Sequence, residues 1–162
     1  MNLKEIMDNN CKKYETLDFI PHDPILFPHK FNKKEDIEIA GFIASSFAYG
    51  KRSFFIAKLN ELFEIMNNEP YKFIKNFKNK KIDLNGINYR FAKENDIKNM
   101  LYVLSTIYND ENSSLSDLFY EYYNNCKNNH PKLGKIHNMF YNISQYFYKN
   151  CPTEPQAGFK HL

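Results

Sequence analysis

The chain lacks tryptophan, has glycine at only five of its 162 positions and contains only three cysteines. The cysteines, Cys11, Cys126 and Cys151, are odd in number and widely spaced. That pattern suits neither a disulfide framework nor a paired-thiolate zinc site. We therefore expect ordinary reduced thiols.

A long hydrophobic run is also missing. The longest uncharged apolar stretch, Ala40 to Gly50, contains two serines and is far shorter than the roughly 20 residues that cross a bilayer. Residues 1–14 lack the apolar centre and small-residue cleavage site of a secretory signal. We predict no membrane segment and a cytoplasmic location.

Neither sign of charge is in large excess, because the chain has 22 basic and 19 acidic residues and a net charge of +3. Only Arg52 and Arg90 are arginines. Lysine supplies diffuse attraction to phosphate but little bidentate recognition, so charge alone gives a nucleic-acid partner only weak support. With 43% hydrophobic residues, the chain has enough apolar surface to fold as one domain.

Apolar residues recur at three- and four-residue steps through most of the chain, which is typical of amphipathic helices. We predict an all-α, single-domain bundle over residues 1–162, with about seven helices and an ordered, proline-rich loop after helix one. Helix one is predicted to end near Thr16. The later helices are predicted to begin at Asn32, Ser53, Pro70, Asn95 or Asp96, Ser114 and Lys132. The pattern stops after Cys151, so residues 150–162 are predicted to form a loosely packed tail.

The proline-rich loop, Leu17 to Phe31, combines three prolines with several large apolar side chains that need burial. It also places His22, Asp23 and His29 close together in the chain. These residue types suit proton transfer or metal binding, but their spacing fits no standard metal motif. A packed loop with imidazoles bonded to backbone carbonyls explains them equally, and we predict no metal or other cofactor.

The second predicted helix has a broad apolar face and is expected to be central to the bundle. Asn32 and Glu35 have the spacing of a reciprocal cap at its start. Gly50 can adopt the left-handed conformation that ends it, and Ser53 can cap the next helix.

The corner between these helices combines Lys51 and Arg52 with the free amides of a helix N-terminus. Such a corner can hold a DNA or RNA phosphate, although an ordinary capped turn has the same residues. Tyr49 can stack on a base or belong to the core. The lysines from Lys72 to Lys81 form either a solvated face or a phosphate-tracking surface.

Three further polar residues are candidates for a site and also have structural explanations, and Arg90 is grouped with His22, Asp23 and His29 as a possible polar site. Asp36 and Glu38 stand near the start of the second helix, where acidic residues are favoured. Arg90 lies between Tyr89 and Phe91, and we expect a buried ion pair in which it clamps the turn before the fifth helix.

The run from Asp18 to Arg52, DFIPHDPILFPHKFNKKEDIEIAGFIASSFAYGKR, resembles the start of an uncharacterised bacterial family, domain of unknown function 2400. The resemblance continues through Asn67–Phe73, Tyr89–Phe91 and the terminal Lys160–His161. It covers nearly the whole chain but roughly the N-terminal three-fifths of the family domain. Full-length members continue with Cys-Lys-Arg, Pro-Leu-Asp-x-His and Tyr-Asp-Phe-Ala segments, and they usually have tryptophan at the position of Tyr49.

Full-length members are in turn distantly similar to helix-hairpin-helix DNA glycosylases. In those enzymes an apolar helix, a basic corner and a later catalytic aspartate surround a flipped base. The resemblance implies that Gly41–Tyr49 is the apolar helix and places the aspartate beyond Leu162. It also implies that the corner facing DNA comprises Tyr49, Gly50, Lys51, Arg52 and Ser53. Two alternatives stay open: a non-enzymatic helical module that binds protein, and an incomplete fragment without independent function.

Overall fold

The computed structural model describes residues 2–79, 82–109, 113–125 and 134–161. Over these ranges the fold is all-α, as predicted, with one isolated antiparallel bridge between Tyr89 and Ala92. Among the described residues, no helix combines the length and the apolar character that crossing a membrane requires. The helices are α1 (Leu3–Tyr14), α2 (Leu26–His29), α3 (Lys34–Phe47), α4 (Arg52–Ile65), α5 (Pro70–Asn76), α6 (Glu94–Asn109), α7 (Leu115–Asn125) and α8 (Gly134–Lys149).

Helix α1 forms where the periodicity predicts it, and a capping box between Asn2 and Glu5 fixes its start. It ends at Tyr14 rather than near Thr16. None of its residues is buried, and Leu3 and Met7 are 72% and 57% exposed. The apolar periodicity therefore predicts the position of α1 correctly, but it does not show whether another element buries the apolar face of the helix.

The proline-rich loop is ordered, as predicted, but it contains more helix than three prolines suggest. Residues Ile20–His22 form a 3-10 turn, and α2 follows as a single helical turn. Pro28 is tolerated in α2 because the first residues of a helix do not use their amides in helix hydrogen bonds. Phe27 is fully buried and stacks on Phe63 at 5.1 Å between ring centroids, which fixes the loop to the core.

Helix α3 is the central helix, as predicted: Ile39, Ala40, Ile43 and Phe47 are all 0% exposed. The predicted Asn32 cap is wrong. The amide of Ile37 bonds to the carbonyl oxygen of Lys33, which makes Lys33 the N-cap, with no side-chain hydrogen bond to the helix.

Helix α4 buries the predicted stripe, and none of its members is more than 5% exposed. The stripe consists of Phe55, Leu59, Leu62, Phe63 and Met66. The predicted Ser53 cap is wrong, because the amides of Phe54 and Phe55 both reach the carbonyl oxygen of Lys51 and the helix starts at Arg52.

The turn between α4 and α5 forms as predicted. Asn67 and Asn68 adopt positive φ angles of 53° and 50°, and Pro70 is the first residue of α5. The carboxylate of Asp36, on α3, accepts the amide hydrogen of Tyr71 at 2.9 Å. Asp36 therefore caps α5 from a neighbouring helix and has a structural role.

Helices α6, α7 and α8 complete the described bundle. Helix α6 begins at Glu94, one or two residues before the predicted start at Asn95 or Asp96. Helix α7 has the predicted Ser114 cap, whose Oγ accepts the Asp117 amide hydrogen at 3.2 Å. On α8, Ile143 and Phe147 are buried, whereas Phe140 is 54% exposed. The predicted start of this last helix at Lys132 lies outside the described residues.

The segment after Asn150 packs closely on α6 at several points, in contrast to the loose tail that the sequence predicts. Buried Asp96 accepts the amide hydrogen of Gln156 at 3.0 Å, and buried Asn99 accepts the Thr153 hydroxyl at 2.8 Å. Phe159 is only 6% exposed. Gly158 lies so close to the backbone of Phe91 that an added Cβ would be 1.9 Å from the Phe91 carbonyl oxygen.

Candidate nucleic-acid interface

The turn between α3 and α4 exposes a glycine at the end of a buried helix. Phe47 is the last residue of α3, Ala48 is its C-cap, and Gly50 has a φ of +89°. This left-handed conformation, predicted for Gly50, lets the chain reverse without a Cβ clash. Gly50, Lys51, Arg52 and Ser53 are all exposed.

The first turn of α4 concentrates positive electrostatic potential. Lys51 is the N-cap without a side-chain hydrogen bond to the helix, and the amides of Arg52 and Ser53 precede the first helix hydrogen bonds. No acidic residue lies in this turn. The start of α3 has a similar dibasic pair, Lys33–Lys34, but Glu35 and Asp36 follow it there. Of these two helix starts, the N-terminus of α4 is the better suited to an external anion.

Arg90 joins this turn from a distant part of the chain. Its guanidinium carbon lies 5.8 Å from the Tyr49 ring centroid, and a Cβ on Gly50 would be 2.5 Å from Arg90 Nη1. The predicted buried ion pair is wrong, because Arg90 is exposed and the four ion pairs found among the described residues do not include it. Arg90 thus adds a third cation beside Lys51 and Arg52.

Tyr49 is half-buried, and its position favours a structural role. Its hydroxyl donates to the Tyr89 carbonyl oxygen at 3.3 Å, and the Tyr89 hydroxyl donates to the Tyr49 carbonyl oxygen. Burial first, then the neighbouring Tyr89, raises the pKa of Tyr49. The phenol therefore stays protonated, and remains a hydrogen-bond donor, to a higher pH than an unperturbed tyrosine does.

Aromatic rings accompany each of the cations. Lys51 Nζ lies 5.2 Å from the Phe54 ring centroid, and the Arg52 guanidinium carbon lies 5.8 Å from that of Phe19. The Arg90 guanidinium carbon also lies 5.8 Å from the Phe91 ring centroid. Phe54 and Phe91 are not among the candidate site residues predicted from the sequence. Their positions in the sequence offer a signal, because Phe91 directly follows Arg90 and Phe54 lies three residues after Lys51, one helical turn further on.

Of His22, Asp23 and His29 in the proline-rich loop, Asp23 has a local structural role. Asp23 Oδ1 accepts the amide hydrogen of Ile25 at 3.1 Å, while His22 and His29 are exposed. Within the described part of the chain, no three histidine, cysteine, aspartate or glutamate side chains form a group able to hold a metal ion. The contact from this loop to Arg52 is made by Phe19.

The lysines of α5 and of the 3-10 turn Phe77–Asn79 that follows it are engaged in local contacts. Lys72 pairs with Glu69 at 2.8 Å, Lys75 Nζ donates to the Tyr108 carbonyl oxygen at 2.9 Å, and Lys78 Nζ lies over the Tyr102 ring at 4.7 Å. Lys80 and Lys81 lie outside the described residues. These contacts support the reading of a solvated structural face for Lys72, Lys75 and Lys78.

Glu38 also belongs to the packing of the bundle. It is half-buried, and its Oε2 accepts the hydroxyl hydrogen of Tyr108 at 2.9 Å. Its Oε1 makes no hydrogen bond but lies 3.6 Å from Lys34 Nζ, a distance that allows an ion pair. Burial, followed by the hydrogen bond that its hydroxyl donates to Glu38, raises the pKa of Tyr108. Glu38 therefore orients a buried tyrosine between α3 and α6.

Comparison with known proteins identifies a family to which the chain is similar. No curated protein and no solved structure matches the chain. The family described as "Protein of unknown function (DUF2400)" matches residues 23–161, which include the α3–α4 turn and Arg90. Since this match covers most of the chain, the protein belongs to the DUF2400 family.

Proposed function

We propose that this chain is the N-terminal part of a helix-hairpin-helix glycosylase-like protein and that it binds DNA. The binding surface, called the basic corner below, comprises Tyr49, Gly50, Lys51, Arg52, Ser53 and Arg90. The observation that carries the proposal is the position of Arg90 against Gly50, which brings three cations to one helix N-terminus without an acid in its first turn. The comparison with glycosylases rests on the sequence resemblance. The catalytic aspartate that it implies lies beyond the matched residues, so no reaction is proposed.

The electrostatics of the basic corner suit a phosphate backbone. Free amides at the start of α4 can donate to phosphate oxygens, and the positive end of the helix dipole favours negative charge there. Each lysine or arginine that neutralises a phosphate releases counterions, so binding weakens as salt rises. Three such contacts give a slope of about −2.7 in a plot of log K against log salt concentration.

Fluorescence anisotropy with a labelled DNA duplex tests the proposal. The variant Lys51→Glu/Arg52→Glu removes two cations and adds two acids at the N-cap and first residue of α4. We expect at least tenfold weaker binding at low salt, and a salt slope smaller in magnitude by about 2.

The matched control is Lys33→Glu/Lys34→Glu, which makes the same charge change at the same two positions of α3. This pair lies at the other end of α3, about 20 Å from the basic corner along the helix axis. The control should lose much less affinity than the corner variant. Duplex binding that is absent at low salt, or that the corner variant leaves intact, would contradict the proposal.

A second candidate function, binding of a protein partner, is favoured by an apolar groove of about 340 Å³ between α3, α6, α7 and α8. Phe42, Met100, Ile143 and Phe147 line it, with the half-exposed Phe140 at its edge. Exposed apolar surface at such a groove is a feature of interaction sites. Persistent dimerisation in size-exclusion chromatography, abolished by Phe140→Ser and without salt-sensitive DNA binding, would favour this function over the first.

A further inference from the structure

Two phenylalanines beside the basic corner are exposed. Phe54, in the first turn of α4, is 63% exposed, and Phe91, next to Arg90, is 56% exposed. Burying a phenylalanine side chain contributes about 1.5–3 kcal/mol, so leaving two of them in water forgoes a large stabilisation. Both rings are therefore accessible to a ligand at this surface.

The contacts of the basic corner connect these two rings through cations. Lys51 lies over Phe54, and Gly50, the neighbour of Lys51, is in contact distance of the Arg90 side chain. Arg90 lies over the ring of Phe91. The surface thus runs from Phe54 through Lys51, Gly50 and Arg90 to Phe91, with aromatic rings at its ends and cations between them.

Alternation of cations and exposed aromatic rings is a pattern found in proteins that bind single-stranded nucleic acid. Bases stack on aromatic side chains whatever their sequence, while cations follow the phosphates. In a duplex the base faces are covered by their neighbours in the stack. A rigid duplex can meet the cations of this surface, but only unpaired nucleotides can also stack on Phe54 and Phe91.

We propose that the basic corner selects DNA with unpaired bases, with Phe54 and Phe91 as stacking platforms and Lys51, Arg52 and Arg90 as phosphate contacts. This inference rests on the proposed function, because it assigns a class of DNA to the same surface. It requires no base pairing and no base-specific hydrogen bond, so binding is insensitive to sequence.

The test compares a labelled oligothymidine with a labelled duplex of the same length by fluorescence anisotropy. We expect the wild-type chain to bind the oligothymidine more tightly than the duplex. The variant Phe54→Ala/Phe91→Ala should lose roughly tenfold or more in affinity for the oligothymidine and change duplex affinity little. The variant Phe54→Leu/Phe91→Leu keeps apolar bulk without a flat ring and should show a loss of the same direction.

The control is Tyr120→Ala, which removes a 73% exposed ring from α7 and should leave both affinities unchanged. Circular dichroism melting of each variant shows that the fold is kept. Equal affinities for the two DNAs, or equal losses for both in the phenylalanine variants, would overturn the inference.

The variant Lys51→Glu/Arg52→Glu distinguishes a failure of this inference from a failure of the proposed function. If Lys51→Glu/Arg52→Glu abolishes binding of both DNAs while the phenylalanine variants change nothing, the proposed function stands and the preference for unpaired bases is wrong. If the charge variant changes neither affinity, the basic corner is not the DNA site and both proposals fail.

Discussion

Tyr49 and Tyr89 hold one another by reciprocal hydrogen bonds, each hydroxyl donating to the backbone carbonyl oxygen of the other residue. Their ring centroids are 5.0 Å apart. Tyr49 immediately precedes Gly50, and Tyr89 immediately precedes Arg90. The tyrosine pair therefore fixes the α3–α4 turn beside the turn that carries Arg90, and it positions the basic corner.

The variant Tyr89→Phe tests the contribution of this pair to stability. It removes the hydroxyl that donates to Tyr49 and leaves the ring in place, so we expect a loss of about 1 kcal/mol in the free energy of unfolding. Urea denaturation measures the change. Tyr120→Phe, at an exposed position, should lose nothing; an equal effect of the two substitutions would remove the structural role assigned to the pair.

Two glycines give opposite predictions for the same substitution. Gly158→Ala places a Cβ 1.9 Å from the Phe91 carbonyl oxygen and 2.8 Å from Ala92 Cα, backbone atoms that cannot rotate away. We expect a loss of about 1–3 kcal/mol. Gly41→Ala, inside α3, meets its nearest atom at 3.9 Å and should gain about 0.4–1 kcal/mol. Thermal or urea unfolding measures both, and a neutral Gly158→Ala would contradict the packing of the terminal segment.

Asp96 joins the start of α6 to the terminal segment. Its carboxylate accepts the amide hydrogen of Lys93 and that of Gln156, both at 3.0 Å, and the residue is fully buried. Since hydrogen bonds to a charged group contribute about 1.5–3 kcal/mol each, Asp96→Ala should cost at least about 2 kcal/mol. Limited proteolysis should then cut the segment after Asn150 sooner. Glu154→Ala, at an exposed position of that segment, serves as the control and should keep wild-type stability.

The raised pKa of the Cys151 thiol leads us to expect that the free energy of unfolding depends on pH in the alkaline range. Burial, followed by the charge of Asp96, raises the pKa of Cys151 from 9.0 to about 11. The folded state holds this proton more tightly than the unfolded state does. The resulting stabilisation is complete below pH 9.0 and is lost as the pH rises through about 11.

Cys151→Ser isolates this effect. Serine retains a hydrogen-bond donor for the Phe147 carbonyl oxygen, which Cys151 Sγ contacts at 3.2 Å, and it does not ionise in this range. Tyrosine ionisation affects both proteins alike. Urea midpoints measured from pH 9.0 to about 11 should fall more steeply for the wild-type chain, and parallel curves would contradict the prediction.

The sequence predicts those parts of the fold that depend on local pattern. The apolar faces of α3 and α4 follow from the 3.6-residue period of a helix, and the turn at Asn67–Asn68 follows from residues that tolerate a positive φ. Caps are less predictable. Asn32 and Ser53 are good capping residues, but the helices beside them start after Lys33 and Lys51, since local sequence fixes a helix boundary only to within one or two residues.

The candidate site is less predictable than the fold because its members lie far apart in the chain. The pattern around Gly50 indicates an anion site with two cations, whereas the contact of Arg90 with Gly50 depends on how α3 packs beside the Tyr89–Ala92 bridge. Because Arg90 stands between Tyr89 and Phe91, the local sequence predicts a buried position for it. Only the tertiary arrangement reveals that it is exposed.

The turn that carries Arg90 is closed by two hydrogen bonds, since Tyr89 and Ala92 each donate an amide hydrogen to the carbonyl oxygen of the other. Arg90 itself has a φ of 53°, a conformation that non-glycine residues adopt only when their surroundings impose it. The turn thus fixes the backbone from which the Arg90 side chain extends. At the proposed DNA site, a fixed backbone loses less conformational entropy on binding than a flexible loop does, which lowers the cost of the contact.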